Sequence, residues 1–233
     1  MVVVLALMLS SSAAAATITI DAIDTGWYAT YGRGGGTGVQ NYITGGNAGF
    51  GETRSFFVFD LLGIDAPIVS ATLRLYNPSR AVSGDSGDGY ASVDATEIMT
   101  LHSVETSLAA LMGATGGLGA FTDLADGTLY GSRTVSAADN GTLVSFDLNQ
   151  SALWDLNAAS GLFAFGGSVA NLGTGDESMF AYTGGPLNHS FVSNITRELI
   201  IETAPVPVPE PASILLFGTG VFAFVGRTWR RRS

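Results

Sequence analysis

Residues 54–76 read RSFFVFDLLGIDAPIVSATLRLY, and this stretch decides the class of fold. Residues 54–61 contain a continuous apolar run at 56–59 with three phenylalanines, a composition that predicts a β-strand. In residues 69–76 apolar and polar side chains alternate, which places Leu73 and Leu75 on one face of a second strand. Phe59 and Leu73 are therefore expected to point into the core.

Most of the remaining chain repeats this pattern of short apolar or alternating segments. The 31 glycines, most of them between those segments, indicate many tight turns. Helical patterns are confined to residues 106–112 and 151–158, and both are too short to form a helical layer. The sequence predicts a mainly β protein, an antiparallel, jelly-roll-like β-sandwich with one or two short helices. Further strands are predicted at residues 17–20, 95–104, 143–148, 161–166, 178–182 and 197–202.

Two parts of the chain resemble a known architecture. Residues 54–61, Ile64 and residues 68–76 are similar to the first half of the DNRLRE and related carbohydrate-binding-module-like sandwiches of bacterial surface proteins. The second match lies further along the chain and resembles the other half of that architecture: Phe146-Asp147-Leu148, Trp154 and residues 161–167. The resemblance implies a β-sandwich, and it extends to function only as an expectation of carbohydrate binding.

The C-terminal residues 205–233 have the layout of a membrane-handling signal. Alternating prolines form an extended spacer, residues 212–225 carry no charge, and a basic end follows at Arg227, Arg230, Arg231 and Arg232. Arginines mark the cytoplasmic side of a membrane segment. As a helix the 14 uncharged residues would span about 21 Å, which is short for a hydrocarbon core of about 30 Å.

Within this tail, Pro209, Glu210 and Pro211 stand immediately before the apolar run. In order, spacing and basic end the segment resembles the PEP-CTERM sorting signal of Gram-negative bacteria. The resemblance implies recognition by an exosortase-type membrane protease, removal of the tail, and delivery to the cell surface or an exopolysaccharide matrix. An ordinary C-terminal membrane helix is the alternative.

The N-terminus is consistent with export. Residues 2–9 form a short apolar core, and the alanines that follow predict signal-peptidase cleavage after Ala16, with Ala14 and Ala16 as the small residues required. A buried N-terminal strand is the alternative. The predicted organisation is a signal peptide at 1–16, a β-sandwich domain at 17–204 and a sorting signal at 205–233.

Composition excludes several classes of function. Between the two signals the chain has 19 acidic residues and six arginines, a formal charge of −13, so nucleic acid is a poor partner. The chain contains neither lysine nor cysteine, which excludes catalysis by those nucleophiles. The two histidines, His102 and His189, make a poor zinc set, and His102 is expected to be structural. The protein is therefore expected not to be an enzyme.

Paired carboxylates are the one catalytic arrangement that the composition leaves open, because glycoside hydrolysis needs only two acids at the correct separation. The available residues are Glu52, Glu97, Glu105, Asp176 and Glu177. An exported polysaccharide-active enzyme is accordingly the alternative function.

A hard cation would find oxygen ligands in the loop at residues 83–89. Asp85 and Asp88, with Asp94 nearby, are candidate ligands for Ca²⁺, which prefers several oxygens on flexible backbone. The alternative is a solvated turn, because aspartate and glycine favour turns in any case.

Aromatic rings in the glycine-rich residues 26–51 are candidates for stacking on sugar rings. They are Trp27, Tyr28, Tyr31 and Tyr42. The segment is too irregular for an ordinary hairpin, and long irregular loops are often functional. The alternative is that the rings cover one end of the sandwich.

Together these observations predict an exported protein of the cell surface or exopolysaccharide matrix, with a non-catalytic glycan-binding or structural sandwich. Its expected partners are an exosortase, the membrane before processing, and exopolysaccharide. An ice-binding adhesin is a further alternative, although the threonines show no regular repeat.

Overall fold

The computed structural model describes residues 15–35, 41–47, 51–79, 89–181 and 195–205. Within them Thr17–Thr203 forms one compact unit. Its strands are β1 (Thr17–Asp21), β2 (Asp24–Ala29), β3 (Gly34–Gly35), β4 (Thr44–Asn47), β5 (Gly51–Asp60), β6 (Ile68–Asn77), β7 (Thr96–Ser103), β8 (Leu129–Ser136), β9 (Thr142–Asp147), β10 (Leu162–Val169), β11 (Glu177–Met179) and β12 (Arg197–Thr203). The helices are α1 (Leu108–Met112), α2 (Gly117–Asp126) and α3 (Gln150–Ala158), and a 3₁₀ turn lies at Ala137–Asp139.

The strands form two antiparallel sheets, which confirms the predicted fold class. One sheet has four strands in the order β1-β12-β6-β9. The other has eight and follows the path β11-β4-β5-β10-β7-β8, while β2 pairs with β5 and with the short β3. The long strand β5 organises this second sheet, because β2, β4 and β10 all pair with it.

The main core lies between the two sheets. Phe57, Phe59 and Phe165 come from the larger sheet and pack with Leu73 and Leu199 from the smaller one, and each of these side chains is fully buried. The prediction that Phe59 and Leu73 point inward is confirmed. Alternating burial along β6 follows the alternation of its sequence.

A second core lies on the other side of the larger sheet. There Phe56 and Val58 pack with Leu111 of α1 and with Phe121 and Leu124 of α2. Strand β5 is therefore covered on both faces, which is why residues 56–59 are all apolar without alternation. The helices add a third layer that the sequence did not predict.

The predicted helical segments at 106–112 and 151–158 correspond to α1 and α3, whereas α2 was missed. Gly116 precedes α2, Gly117 is its first residue and Gly127 follows its end, and such glycines are more typical of a loop than of a helix. Residues 26–51 do not form a single hairpin, but they contain a short pairing of β2 with β3 over two residues that the sequence did not predict. Gly35 permits this pairing, since a Cβ there would lie 2.8 Å from Trp27 Nε1.

Candidate functional site

Several predicted sites lie outside the described residues. They are the sorting motif Pro209, Glu210 and Pro211, the basic end at Arg227, Arg230, Arg231 and Arg232, the loop acids Asp85 and Asp88, Ala14, His189 and the C-terminal apolar helix. Among the residues that are described, no helix has the length and apolar character needed to cross a membrane.

Ala16 is exposed and lies directly before β1. Thr17, the first residue of that strand, is the cross-strand neighbour of Glu202 in β12. A cut after Ala16 would therefore leave every strand of the sandwich intact.

The four candidate aromatic residues do not form one exposed platform. Tyr28 and Tyr42 are fully buried, which corrects the expectation that their rings face a ligand. The hydroxyl of Tyr28 donates to the carbonyl of Ala110 at 2.6 Å, and that of Tyr42 donates to the carbonyl of Tyr76 at 2.8 Å. Both rings belong to cores, and burial raises the pKa of both phenols.

The other two rings differ from each other in exposure. Trp27 is 8% exposed, so it too offers little surface to a ligand. Tyr31 is 81% exposed and lies in the turn between β2 and β3. The neighbouring Gly32 lies close to the start of α2, since a Cβ on it would be 2.8 Å from the backbone nitrogen of Leu118. The Leu118 residue is 58% exposed. Tyr31 is thus the candidate ring that a sugar could reach.

His102 has a structural environment, as expected. Its Nδ1 lies 3.1 Å from the Gly127 carbonyl oxygen, and its Nε2 lies 2.9 Å from Thr100 Oγ1. Both ring nitrogens therefore have hydrogen-bond partners, and the ring links β7 to Gly127, the residue that follows α2.

The structure places three acidic residues together that the sequence separates. Asp94 precedes β7, Glu97 is the second residue of β7, and Glu177 is the first residue of β11. One carboxylate oxygen from each lies within 4.8 Å of the others. Glu97 and Glu177 are 0% and 1% exposed, whereas Asp94 is exposed. We call these three residues the acidic cluster.

The hydrogen bonds of the acidic cluster satisfy it only in part. Ser92 Oγ donates to Glu97 Oε1 at 2.7 Å, and the backbone N–H of Gly173 donates to the Glu177 carboxylate. Glu97 Oε2 has no hydrogen-bond partner, and it is the one such buried side-chain atom among the described residues. Buried polar atoms normally have a partner, so this oxygen requires an explanation.

The carboxylates of the acidic cluster also repel one another when they are ionised. The carboxylate oxygens lie no more than 4.8 Å apart, and two ionised carboxylates at that separation or less repel by at least about 3 kcal/mol at an effective dielectric constant near 20. The ion pairs among the described residues join Arg54 to Glu52, Arg74 to Glu198 and Arg133 to Asp139, so none of them neutralises the acidic cluster.

Asp94 was predicted as a ligand in company with Asp85 and Asp88, whereas Glu97 and Glu177 were considered only as catalytic acids. A signal for Glu97 was present, because alternation in β7 places it on the same face as Met99 and Leu101, which are buried. No comparable signal existed for Glu177, since its position depends on the pairing of the three-residue strand β11 with β4.

Of the acids considered for catalysis, Glu52 is bound to Arg54 at 2.7 Å and Glu105 is exposed on the segment before α1. Glu97 and Glu177 do lie close together, but their burial keeps them from a polysaccharide chain. A cleft of about 280 Å³ beside Glu105 has a mixed lining, in which Thr106 and Ser107 accompany apolar residues such as Phe163, and Glu105 is its one carboxylate.

A search of curated proteins found no significant match to the chain. A scan against family models matched residues 207–232 to the PEP-CTERM protein-sorting motif. The match covers the spacer, the apolar run and the basic end identified from the sequence. The chain therefore carries a PEP-CTERM sorting signal, which marks it as an exported protein that an exosortase, a membrane protease, sorts toward the cell surface.

Proposed function

We propose that the protein is a non-catalytic cell-surface or matrix protein, in which the Thr17–Thr203 unit binds exopolysaccharide after an exosortase has processed the tail. The observation that carries this proposal is the sorting motif at residues 207–232 on a chain whose described body is an acidic antiparallel sandwich. The motif supplies the destination, and the sandwich is the part that acts there.

Three features support a binding or structural role over catalysis. His102 is held by two hydrogen bonds, and Glu97 and Glu177 are buried. Glycoside hydrolysis would require two carboxylates on either side of an accessible scissile bond. The polysaccharide-active enzyme is therefore the less well supported alternative.

Glycan contact is best supported at Tyr31. Its ring is largely exposed, and Leu118 at the start of α2 offers an exposed apolar side chain close to the same turn. A pyranose face stacks on such a ring because its C–H groups are apolar, while its hydroxyls remain in water or bond to polar neighbours.

The sorting step is tested by replacing Pro209, Glu210 and Pro211 with alanine in the native host. The wild-type protein released at the cell surface should have lost both its N-terminal residues up to Ala16 and its tail, as measured by intact mass. The triple variant should accumulate in the inner membrane with its tail attached. Normal surface release of the variant would contradict exosortase sorting through this motif.

The binding step is tested by co-sedimentation of the full chain, purified in mild detergent, with the host's exopolysaccharide. Tyr31→Ala should reduce binding, while Tyr31→Phe, which keeps the ring, should retain it. Binding that is equal in all three proteins would remove Tyr31 as the contact. Absence of binding by the wild type would leave a purely structural role, and release of shortened glycans would favour the enzyme.

A further inference from the structure

We propose that the acidic cluster of Asp94, Glu97 and Glu177 is a calcium site. It differs from the loop site predicted from the sequence, because two of its three ligands come from strands. The site does not depend on glycan binding or on sorting, so its test is independent of both.

One buried oxygen of the acidic cluster lacks a hydrogen-bond partner. Glu97 is completely buried, yet its Oε2 accepts no hydrogen bond among the described residues, while its Oε1 is bonded to Ser92. Burying an isolated carboxylate costs free energy of folding unless the group is paired, protonated or bound to a metal ion. A cation held among the three carboxylates could accept this oxygen as a ligand and so give it a partner.

The carboxylates of the acidic cluster converge on one point. The three carboxylate oxygens lie within 4.8 Å of one another, close enough for all of them to contact a single ion. Two of them are fixed by strands, and the Glu177 carboxylate is also held at the backbone of Gly173, where a Cβ would lie 2.6 Å from Glu177 Oε1. The arrangement is therefore built by the fold and does not depend on the chance positions of exposed side chains.

The chemistry of the ligands selects the ion. All three are hard carboxylate oxygens, and the group contains neither imidazole nor thiolate, which disfavours zinc and copper. Calcium accepts six to eight oxygens in irregular geometry, so water and backbone carbonyls can complete its shell beside the exposed Asp94. Magnesium demands a nearly ideal octahedron and loses its water reluctantly, which makes it a weaker occupant.

A bound ion would join three segments: β7, the residues that precede it, and β11. The segment before β7 contacts β11 through the paired hydrogen bonds of Ala91 with Ser178, at 2.9 and 2.8 Å. Strand β11 has only three residues and lies at the end of its sheet. Calcium would fasten both segments to β7, and by binding the folded state alone it would stabilise the protein.

The test uses the full chain in mild detergent, stripped of metal with a chelator. Terbium replaces calcium and is excited through Tyr90, whose hydroxyl donates to the carbonyl of Asp94 at 2.9 Å. We expect sensitised terbium emission that saturates at one ion per chain and is displaced by calcium. We also expect the thermal midpoint to rise with calcium concentration and to rise less with magnesium at the same concentration.

Three variants locate the site. Glu97→Gln and Glu177→Gln should abolish the emission and the calcium-dependent shift, and Asp94→Asn should weaken calcium binding at least about tenfold. Asp94→Asn changes an exposed side chain, so it should fold even if the buried variants do not. Glu105→Gln, another exposed acid, is the matched control and should bind as the wild type does.

The outcomes are decisive in both directions. Loss of binding in Asp94→Asn with normal binding in Glu105→Gln supports the site. Absence of terbium emission and of any calcium-dependent shift in the wild type would overturn it. Unchanged binding in Asp94→Asn would also overturn it, and an equal response to magnesium or zinc would overturn the assignment to calcium.

Discussion

Truncation of Phe59 to alanine should test whether the layers of this fold hold it together as described. The Phe59 side chain is fully buried between the two sheets. Its ring meets that of Phe165 edge to face, with centroids 5.9 Å apart, and its strand neighbour in β10 is Phe163. Removing the ring eliminates its burial and that aromatic contact, and it leaves a cavity that the rigid sheets can fill only in part.

From these losses we expect the free energy of unfolding to fall by about 3–5 kcal/mol. Because the chain has no cysteine, no disulfide can offset the loss. For a unit of this length each kcal/mol shifts the thermal midpoint by about 2–4 °C, so the variant should melt roughly 6–20 °C below the wild type.

The measurement is urea unfolding followed by tryptophan fluorescence, together with a thermal melt by circular dichroism. Leu62→Ala is the matched control, because Leu62 is 80% exposed and its truncation should change the unfolding free energy by less than about 0.5 kcal/mol. A loss below about 1 kcal/mol for Phe59→Ala would refute the assignment of this face of β5 to the central core.

Other predictions concern single contacts. Tyr42→Phe removes the hydroxyl that donates to the Tyr76 carbonyl and should cost about 1–2 kcal/mol in urea unfolding; an unchanged midpoint would contradict that bond. Burial raises the pKa of Tyr42 and Tyr130 in the folded state, so stability should be complete below about pH 10 and decline as pH rises above it, when the unfolded chain ionises. Unfolding titrations at pH 8 and pH 11 would measure this decline, and equal stability at both would refute it. Gly26→Ala would place a Cβ 2.0 Å from the Gly35 carbonyl oxygen, so it should destabilise the β2–β3 pairing and lower the thermal midpoint, whereas Gly119→Ala, with open space around it, should not.

Sequence patterns revealed the sandwich because the central strands carry their own signal. The alternation in β6 and the apolar run in β5 match which side chains of each strand are buried, so each strand can be recognised from its own residues. The same patterns could not show how many layers cover β5. Its double coverage depends on α2, and glycines on either side of α2 concealed that helix.

The candidate sites were harder to predict, because they depend on distant residues meeting. Tyr28 and Tyr42 have the composition of a binding surface, but each ring fills a core and each hydroxyl reaches a carbonyl far along the chain. The acidic cluster joins residues 80 positions apart through the short strand β11, whose register no local pattern fixes. Within the cluster, Asp94 is indicated by the aspartate-rich loop before it and Glu97 by its phase with the buried residues of β7, whereas no local pattern indicates Glu177.

The pairing of β1 with β12 explains how both ends can be processed without cost to the fold. Thr17 lies opposite Glu202, so the start of β1 and the end of β12 lie side by side in the four-stranded sheet. Cleavage after Ala16 removes no residue of β1, and removal of the chain beyond residue 205 removes none of β12. Leu199 and Ile201 are fully buried in the central core, so β12 is an integral part of the folded unit. Neither predicted cut would therefore remove a residue of a strand, and the sandwich should keep all of its strands after both.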